Sequence, residues 1–285
     1  MDILSTLKKS LDLCVLKKDT NPRTVSLGFS LSGKKYLSGI IESKTNLLFI
    51  SSEQGVLIKG VQHNDFGLNE IITLTEDVDY NPSPIIIKIL IDYVRRTKNK
   101  LSYKVINKEG KKLFFTKDIT SIIPFYCPPA TNLESIKKRI LSENKIKREK
   151  DKKPEELLGE WSQKALERNF PTHDSATKYG VAIITKENIY FGAQYSGYDQ
   201  KTTIHAEMTV LLSAFMNRDY NITHIGLTSN KHEGPVVPCG CCLQFLDEMA
   251  NHFNINPKIY CFSKNINIFT KYLLSDYLNN FWKNE

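Results

Sequence analysis

One run of landmarks occurs twice along this chain, in the same order and at nearly the same spacing, and that repetition narrows the possible folds more than any other feature. The first copy reads Tyr36-Leu-Ser-Gly-Ile-Ile-Glu42, Ser51-Ser-Glu53, Pro82-Ser-Pro84 ahead of an apolar run, and Phe115-Thr-Lys117. The second reads Tyr190-Phe-Gly-Ala-Gln194, His205-Ala-Glu207, Pro238-Cys-Gly-Cys-Cys242 ahead of Leu243-Gln-Phe245, and Phe269-Thr-Lys271. Glu53 and Pro82 lie 29 residues apart and Glu207 and Pro238 lie 31 apart; the next intervals are 33 and 31. Duplication explains the agreement. It predicts an N-terminal module over 1–135, a linker over 136–153 and a second module over 154–285.

The fold class expected for each module is α/β, a mixed sheet packed by helices. In the second, Tyr179 to Ile184 and Asn188 to Phe191 are β-rich runs joined by a short polar turn, the pattern of a hairpin. Ile204, Met208, Leu211, Leu212 and Phe215 recur at helical spacing, so Ile204 to Met216 is expected to be a helix with a buried face. A strand over Ile222 to Thr228, a helix over Leu243 to Phe253, a strand over Lys258 to Phe262 and a closing helix over Tyr272 to Phe281 follow. That order suits one sheet with helices against it.

Charge is unevenly divided. The chain carries net +8, but residues 136–153 contribute +6 and residues 154–285 are net −3. A protein that grips a polynucleotide at its chemical site needs cations along the approach, and the second module does not supply them. The basic run is expected to be a solvated helical linker, with a grip on nucleic acid as the alternative. No run of 18 apolar residues occurs, which excludes a membrane-spanning helix. Met1 to Leu16 reads as an amphipathic helix rather than a signal peptide. Six cysteines are too few for a disulfide framework, and three crowd into Cys239, Cys241 and Cys242. That spacing points to metal or catalysis in a reducing compartment, so a cytoplasmic setting is expected.

His205, Cys239 and Cys242 are the tightest set of soft and borderline ligands in the chain. Cys-x-x-Cys lets two sulfurs reach one ion from a single turn, and a helix N-terminus there favours thiolates. A histidine from a second helix makes three ligands; zinc takes four, so one position stays open for water. Glu207, two residues past His205, is free to handle that water's protons. Cys241 packs or lies near the metal, and His224, His232 and His252 are read as surface or strand-end residues.

His-x-Glu with Pro-Cys-x-x-Cys is the pattern of zinc-dependent nucleobase deaminases. Thr203-Ile-His-Ala-Glu207, Pro238-Cys-Gly-Cys-Cys-Leu-Gln-Phe245 and Asp276-Tyr-Leu278 resemble the cytidine deaminase family, especially its two-module homodimeric branch with a His-Cys-Cys zinc site. The likeness covers most of 170–285 and, more weakly, 25–130. It implies tandem α/β/α modules, Zn2+ on His205, Cys239 and Cys242, and hydrolytic removal of the 4-amino group of cytosine. Glu207 would protonate N3 and then help ammonia leave, while backbone around Ala206 holds the pyrimidine edge. A homodimer and a place in pyrimidine nucleoside salvage are implied as well.

Two departures matter. The first copy has Ser51, Ser83 and Ile86 where the metal needs His and two Cys, so it is expected to be inactive, with Glu53 left nothing to work on. It would then substitute for a second subunit, although the family's inactive copy follows the active one. In the family an Asn and a Glu ahead of the zinc helix hold the ribose; here Gly192-Ala-Gln194-Tyr195-Ser196 offers Gln194, with Tyr195 beside it, and no Glu. Losing that charged acceptor removes about 1.5–3 kcal/mol of ribose recognition. The leading reading is deamination of a free cytosine nucleoside: cytidine, deoxycytidine or a modified relative. A polynucleotide cytosine deaminase using the basic linker, and a non-catalytic zinc protein for assembly or sensing, are the alternatives. Salt-sensitive binding marks the former; Glu207 argues against the latter.

Overall fold

The computed structural model describes residues 2–16, 21–43, 48–124, 134, 136–137, 145–171, 176–197 and 202–276. The chain divides into two compact units, Met1–Leu133 with Gly197–Thr202, and Glu134–Ser196 with Thr203–Glu285. Among the described residues no helix is long and apolar enough to cross a membrane.

The first unit opens with α1 (Ile3–Lys9), capped by the Asp2 carboxylate, which accepts from the Leu4 and Ser5 amides. It continues through β1 (Thr24–Ser30), β2 (Lys35–Gly39), β3 (Ile41–Glu42), β4 (Phe49–Ile50), α2 (Ser52–Gln62), β5 (Leu68–Thr75), α3 (Pro84–Thr97), β6 (Ser102–Ile106) and β7 (Lys112–Thr116). Its main sheet has the order β2-β1-β5-β6-β7. Only β5 and β6 pair in parallel, which α3 makes possible by carrying the chain back across the sheet. Val25, Leu27, Ile72 and Leu74 meet Leu7 and Leu11 on one face, while the alternate residues Ser26 and Thr73 point to the other.

The second unit runs β8 (Lys145–Lys147), α4 (Pro154–Ala165), β9 (Tyr179–Ile184), β10 (Asn188–Ala193), α5 (Ala206–Phe215), β11 (His224–Ser229), α6 (Gly240–Phe253), β12 (Lys258–Phe262) and β13 (Phe269–Leu273). Its sheet has the order β13-β12-β11-β9-β10-β8. With β8 set aside, β10-β9-β11-β12-β13 has the order and strand directions of β2-β1-β5-β6-β7. Ala182, Ile184, Ile189, Phe191, Tyr260 and Phe262 pack with Leu157 and Leu158 of α4. That helix lies so close to β9 that a methyl group on Gly180 would collide with the Ser162 carbonyl.

Both units fasten the hairpin before the buried helix in the same way. Asp65 follows α2 and accepts from Ser30 Oγ (2.6 Å), Ser32 Oγ (2.6 Å), Tyr36 Oη (2.9 Å) and the Gly67 amide (3.1 Å). Asp219 follows α5 and accepts from Thr185 Oγ1 (2.9 Å), Asn188 Nδ2 (2.9 Å) and Tyr190 Oη (3.0 Å). Burial pushes the Asp65 carboxyl up, but its hydrogen bonds outweigh that and hold it below the usual range.

Two expectations are corrected. The helix expected over Tyr272 to Phe281 is instead strand β13 through Leu273; only Leu274 to Asp276 are helical, and the rest lies outside the described residues. The Tyr272 side chain reaches back to Cys261 Sγ, 3.2 Å away on the neighbouring strand. The linker expected to be a solvated helix contains β8, an edge strand paired antiparallel to β10. Ile146 packs on the core between outward-facing Lys145 and Lys147, a period of two that the surrounding charge conceals. Cys261 is buried and Cys14 half-buried, while Trp161 packs on Phe191 at 4.6 Å between ring centroids. Cys127 and Trp282 lie outside the described residues.

Candidate functional site

His205 and Cys239 occupy matching positions, each the extended residue just before a helix, α5 and α6 respectively. Neither side chain caps its helix, and each helix start is an electropositive end. Cys242 sits one turn into α6 and is fully buried. His205 Nδ1 lies 3.4 Å from Cys239 Sγ and 3.3 Å from Cys242 Sγ. The three ligand atoms all lie within 4.8 Å of one another. A tetrahedral zinc with Zn–N of about 2.0 Å and Zn–S of about 2.3 Å sets such donors about 3.5 Å apart, so the cluster fits zinc. Cys241 is exposed and is not part of it.

Cys239 is brought down to about 3, first by its hydrogen bond with Cys242 and then by His205. Cys242, which faces that charge while buried, goes well up. The Cys239 contact also raises the His205 imidazole. Glu207, in the first turn of α5, is 5% exposed. Burial pushes its carboxyl up, with its backbone and His205 pulling the other way.

A cavity of about 300 Å³ opens on this group. His205, Glu207 and Cys239 line it together with polar Tyr179, Gln194 and His232 and apolar Leu227, Pro235, Val236 and Val237. None of these described lining residues is Lys or Arg. Gln194 is braced by a hydrogen bond from its Nε2 to Ser196 Oγ, 3.0 Å. Tyr195 is not among the lining residues: its ring stacks on Phe170 at 5.2 Å, and its backbone pairs with Ile204. Ala206, fully buried as the first residue of α5, does not line the cavity either. Tyr179 does, and so does His232, which the sequence alone reads as a surface or strand-end residue. Their chain positions were the available clue, since His232 lies on the connection from β11 into α6 and Tyr179 starts β9.

The first unit has the same two helix starts without the donors. Ser51 and Ser83 stand just before α2 and α3, and each caps its helix, accepting from the Gln54 amide at 3.1 Å and the Ile86 amide at 3.4 Å. Glu53 is not idle: its Oε1 accepts from Tyr103 Oη (2.7 Å) and Thr73 Oγ1 (2.8 Å), and Ser52 Oγ donates to Oε2 at 3.3 Å. Ser26 Oγ joins Thr73 and Ser52 at 2.6 and 2.7 Å. Strand register pairs Tyr36 with Gly28 and Tyr190 with Ile183, so Ser26, Thr73 and Tyr103 correspond to Val181, Leu227 and Ile259. The positions that bring hydroxyls to the Glu53 carboxylate thus correspond to apolar residues in the second unit.

Solved structures similar to this chain include the cytidine deaminase from Burkholderia pseudomallei, with 22% identity over 42% of this chain and 93% of that one and a TM-score of 0.38. Another is the cytidine deaminase from Mycobacterium leprae, at 12% identity, the same two coverages and a TM-score of 0.32. No curated relative matches the sequence. The family model for the cytidine and deoxycytidylate deaminase zinc-binding region matches residues 153–254, the stretch that holds His205, Glu207, Cys239 and Cys242.

Proposed function

We propose that the second unit is a zinc-dependent hydrolase that removes the 4-amino group of cytosine from a free nucleoside, cytidine, deoxycytidine or a modified relative. The observation that carries this is the meeting of Glu207 with His205 and Cys239, two members of the His205–Cys239–Cys242 cluster, in one cavity of about 300 Å³. Zinc, when bound, supplies the local positive charge that makes water nucleophilic at neutral pH. Glu207 takes a proton from that water and hands it to N3 as the C4–O bond forms. It then delivers the second proton to the exocyclic nitrogen as the C4–N bond breaks, so water and cytosine become uracil and ammonia. Buried Leu227 and Val236 give the ring an apolar wall, and Gln194 offers both a donor and an acceptor to the substrate.

The free nucleoside is favoured over a polynucleotide by the same lining. A strand's phosphates need several cations, and none of the described lining residues is Lys or Arg. The first unit, with Ser51, Ser83 and Ile86 in place of the ligands, is a non-catalytic copy. Assembly as a homodimer follows from the family resemblance, and light scattering reads it directly. The reaction is tested by ammonia release and product mass from zinc-loaded protein given cytidine, deoxycytidine, cytosine, CMP or single-stranded DNA, with Glu207→Ala beside each. Glu207-dependent turnover of a free nucleoside is the expected result. Turnover of DNA alone refutes the substrate class.

A further inference from the structure

We propose that His232 is a specificity-determining residue that reads the sugar of the nucleoside and leaves the base to Glu207 and the zinc. The inference rests on the nucleoside reading above. The carbon that loses its amino group must reach Glu207, which is 5% exposed. The sugar is attached across the six-membered ring from that carbon, so it points toward the open end of the cavity. His232 lines the cavity and is exposed, as a group at that end must be.

The residue is held in place. Ser229 Oγ accepts from the His232 amide at 3.1 Å, and the Lys264 amide donates to the His232 carbonyl at 2.8 Å. Its Nε2 lies 3.3 Å from Tyr179 Oη, with 6.0 Å between ring centroids. A neutral imidazole presents one donor and one acceptor, and a pentose hydroxyl is both a donor and an acceptor. Gln194, which shares the lining with Tyr179, is already braced by Ser196. A sugar-bearing substrate therefore gains from His232 a contact that the free base cannot use.

The test compares cytidine with cytosine, measuring binding by calorimetry in zinc-loaded Glu207→Gln protein with and without His232→Ala, and turnover in the same pair on the wild-type background. One lost hydrogen bond is about tenfold in affinity. His232→Ala is expected to raise the cytidine Kd and KM about tenfold and to move the cytosine values less than twofold. His232→Gln, which keeps a donor and an acceptor, should recover most of the difference. Equal changes for cytidine and cytosine, no change for either, or no cytidine binding at all would overturn the proposal. Cytidine that binds through His232 but yields no ammonia in the wild type would instead refute the reaction assigned above.

Discussion

Glu53 and Glu207 occupy equivalent positions in the first turns of α2 and α5, and changing each to glutamine should have opposite consequences. At Glu53 one carboxylate oxygen holds Tyr103 at 2.7 Å and Thr73 at 2.8 Å, and the other holds Ser52 at 3.3 Å. Hydrogen bonds to a charged partner contribute about 1.5–3 kcal/mol and neutral ones about 0.5–1.5. An amide oxygen can keep the two short bonds, so Glu53→Gln loses about 1 kcal/mol from each, or about 2 in all. Glu53→Ala leaves three hydroxyls without their acceptor and costs about 4 kcal/mol or more. Around Glu207 the corresponding positions are Val181, Leu227 and Ile259, and burial already disfavours its charge. In zinc-free protein Glu207→Gln should therefore cost less than about 1 kcal/mol. Amide hydrogen exchange followed separately on α2 with β5 and on α5 with β11 measures both effects. Equal destabilisation by the two substitutions, or an effect below about 0.5 kcal/mol at Glu53, would refute the reasoning.

Zinc analysis of purified protein should return one ion per chain, with His205→Ala, Cys239→Ser and Cys242→Ser each losing it and Ser51→Ala keeping it. Asp219→Asn replaces the acceptor of three side-chain donors and should lower the stability of the second unit by about 2 kcal/mol in urea unfolding. Lys59, whose Nζ donates to the Leu37 carbonyl, is lowered by burial from 10.5 to about 8. The unfolded chain then binds more protons between those two values, so stability rises as pH climbs from about 8 toward 10.5, by about 1–3 kcal/mol. Unfolding across that window should lose this rise in Lys59→Met.

Much of this was legible because the residues concerned answer to local rules. His205, Cys239 and Cys242 stand out in the sequence by ligand type and spacing, and they meet in one cluster. The twofold run of Tyr, Glu, Pro and Phe landmarks tracks a strand order that occurs in both sheets. What escaped reading depends on tertiary partners. Lys145-Ile-Lys147 is too short and too charged to declare itself a strand without the β10 edge it pairs with. Tyr272 and Leu273 fit a helical pattern until β12 supplies the partner of their strand. His232 looks like any surface histidine until the connection into α6 folds beside Tyr179. Tyr195, adjacent to Gln194, turns its ring to Phe170, as alternation along an extended segment directs. The hydroxyls around Glu53 come from β1, α2, β5 and β6, and no spacing rule joins them.

The most direct test of a single catalytic centre in the second unit is steady-state ammonia release from cytidine by three zinc-loaded proteins: wild type, Glu207→Gln and Glu53→Gln. Proton transfer by a positioned carboxylate is worth about 10²–10⁴ in rate, so Glu207→Gln should lose at least a hundredfold in kcat while Glu53→Gln stays within twofold of wild type. Full activity in Glu207→Gln, or its loss in Glu53→Gln protein that remains folded, would contradict the account.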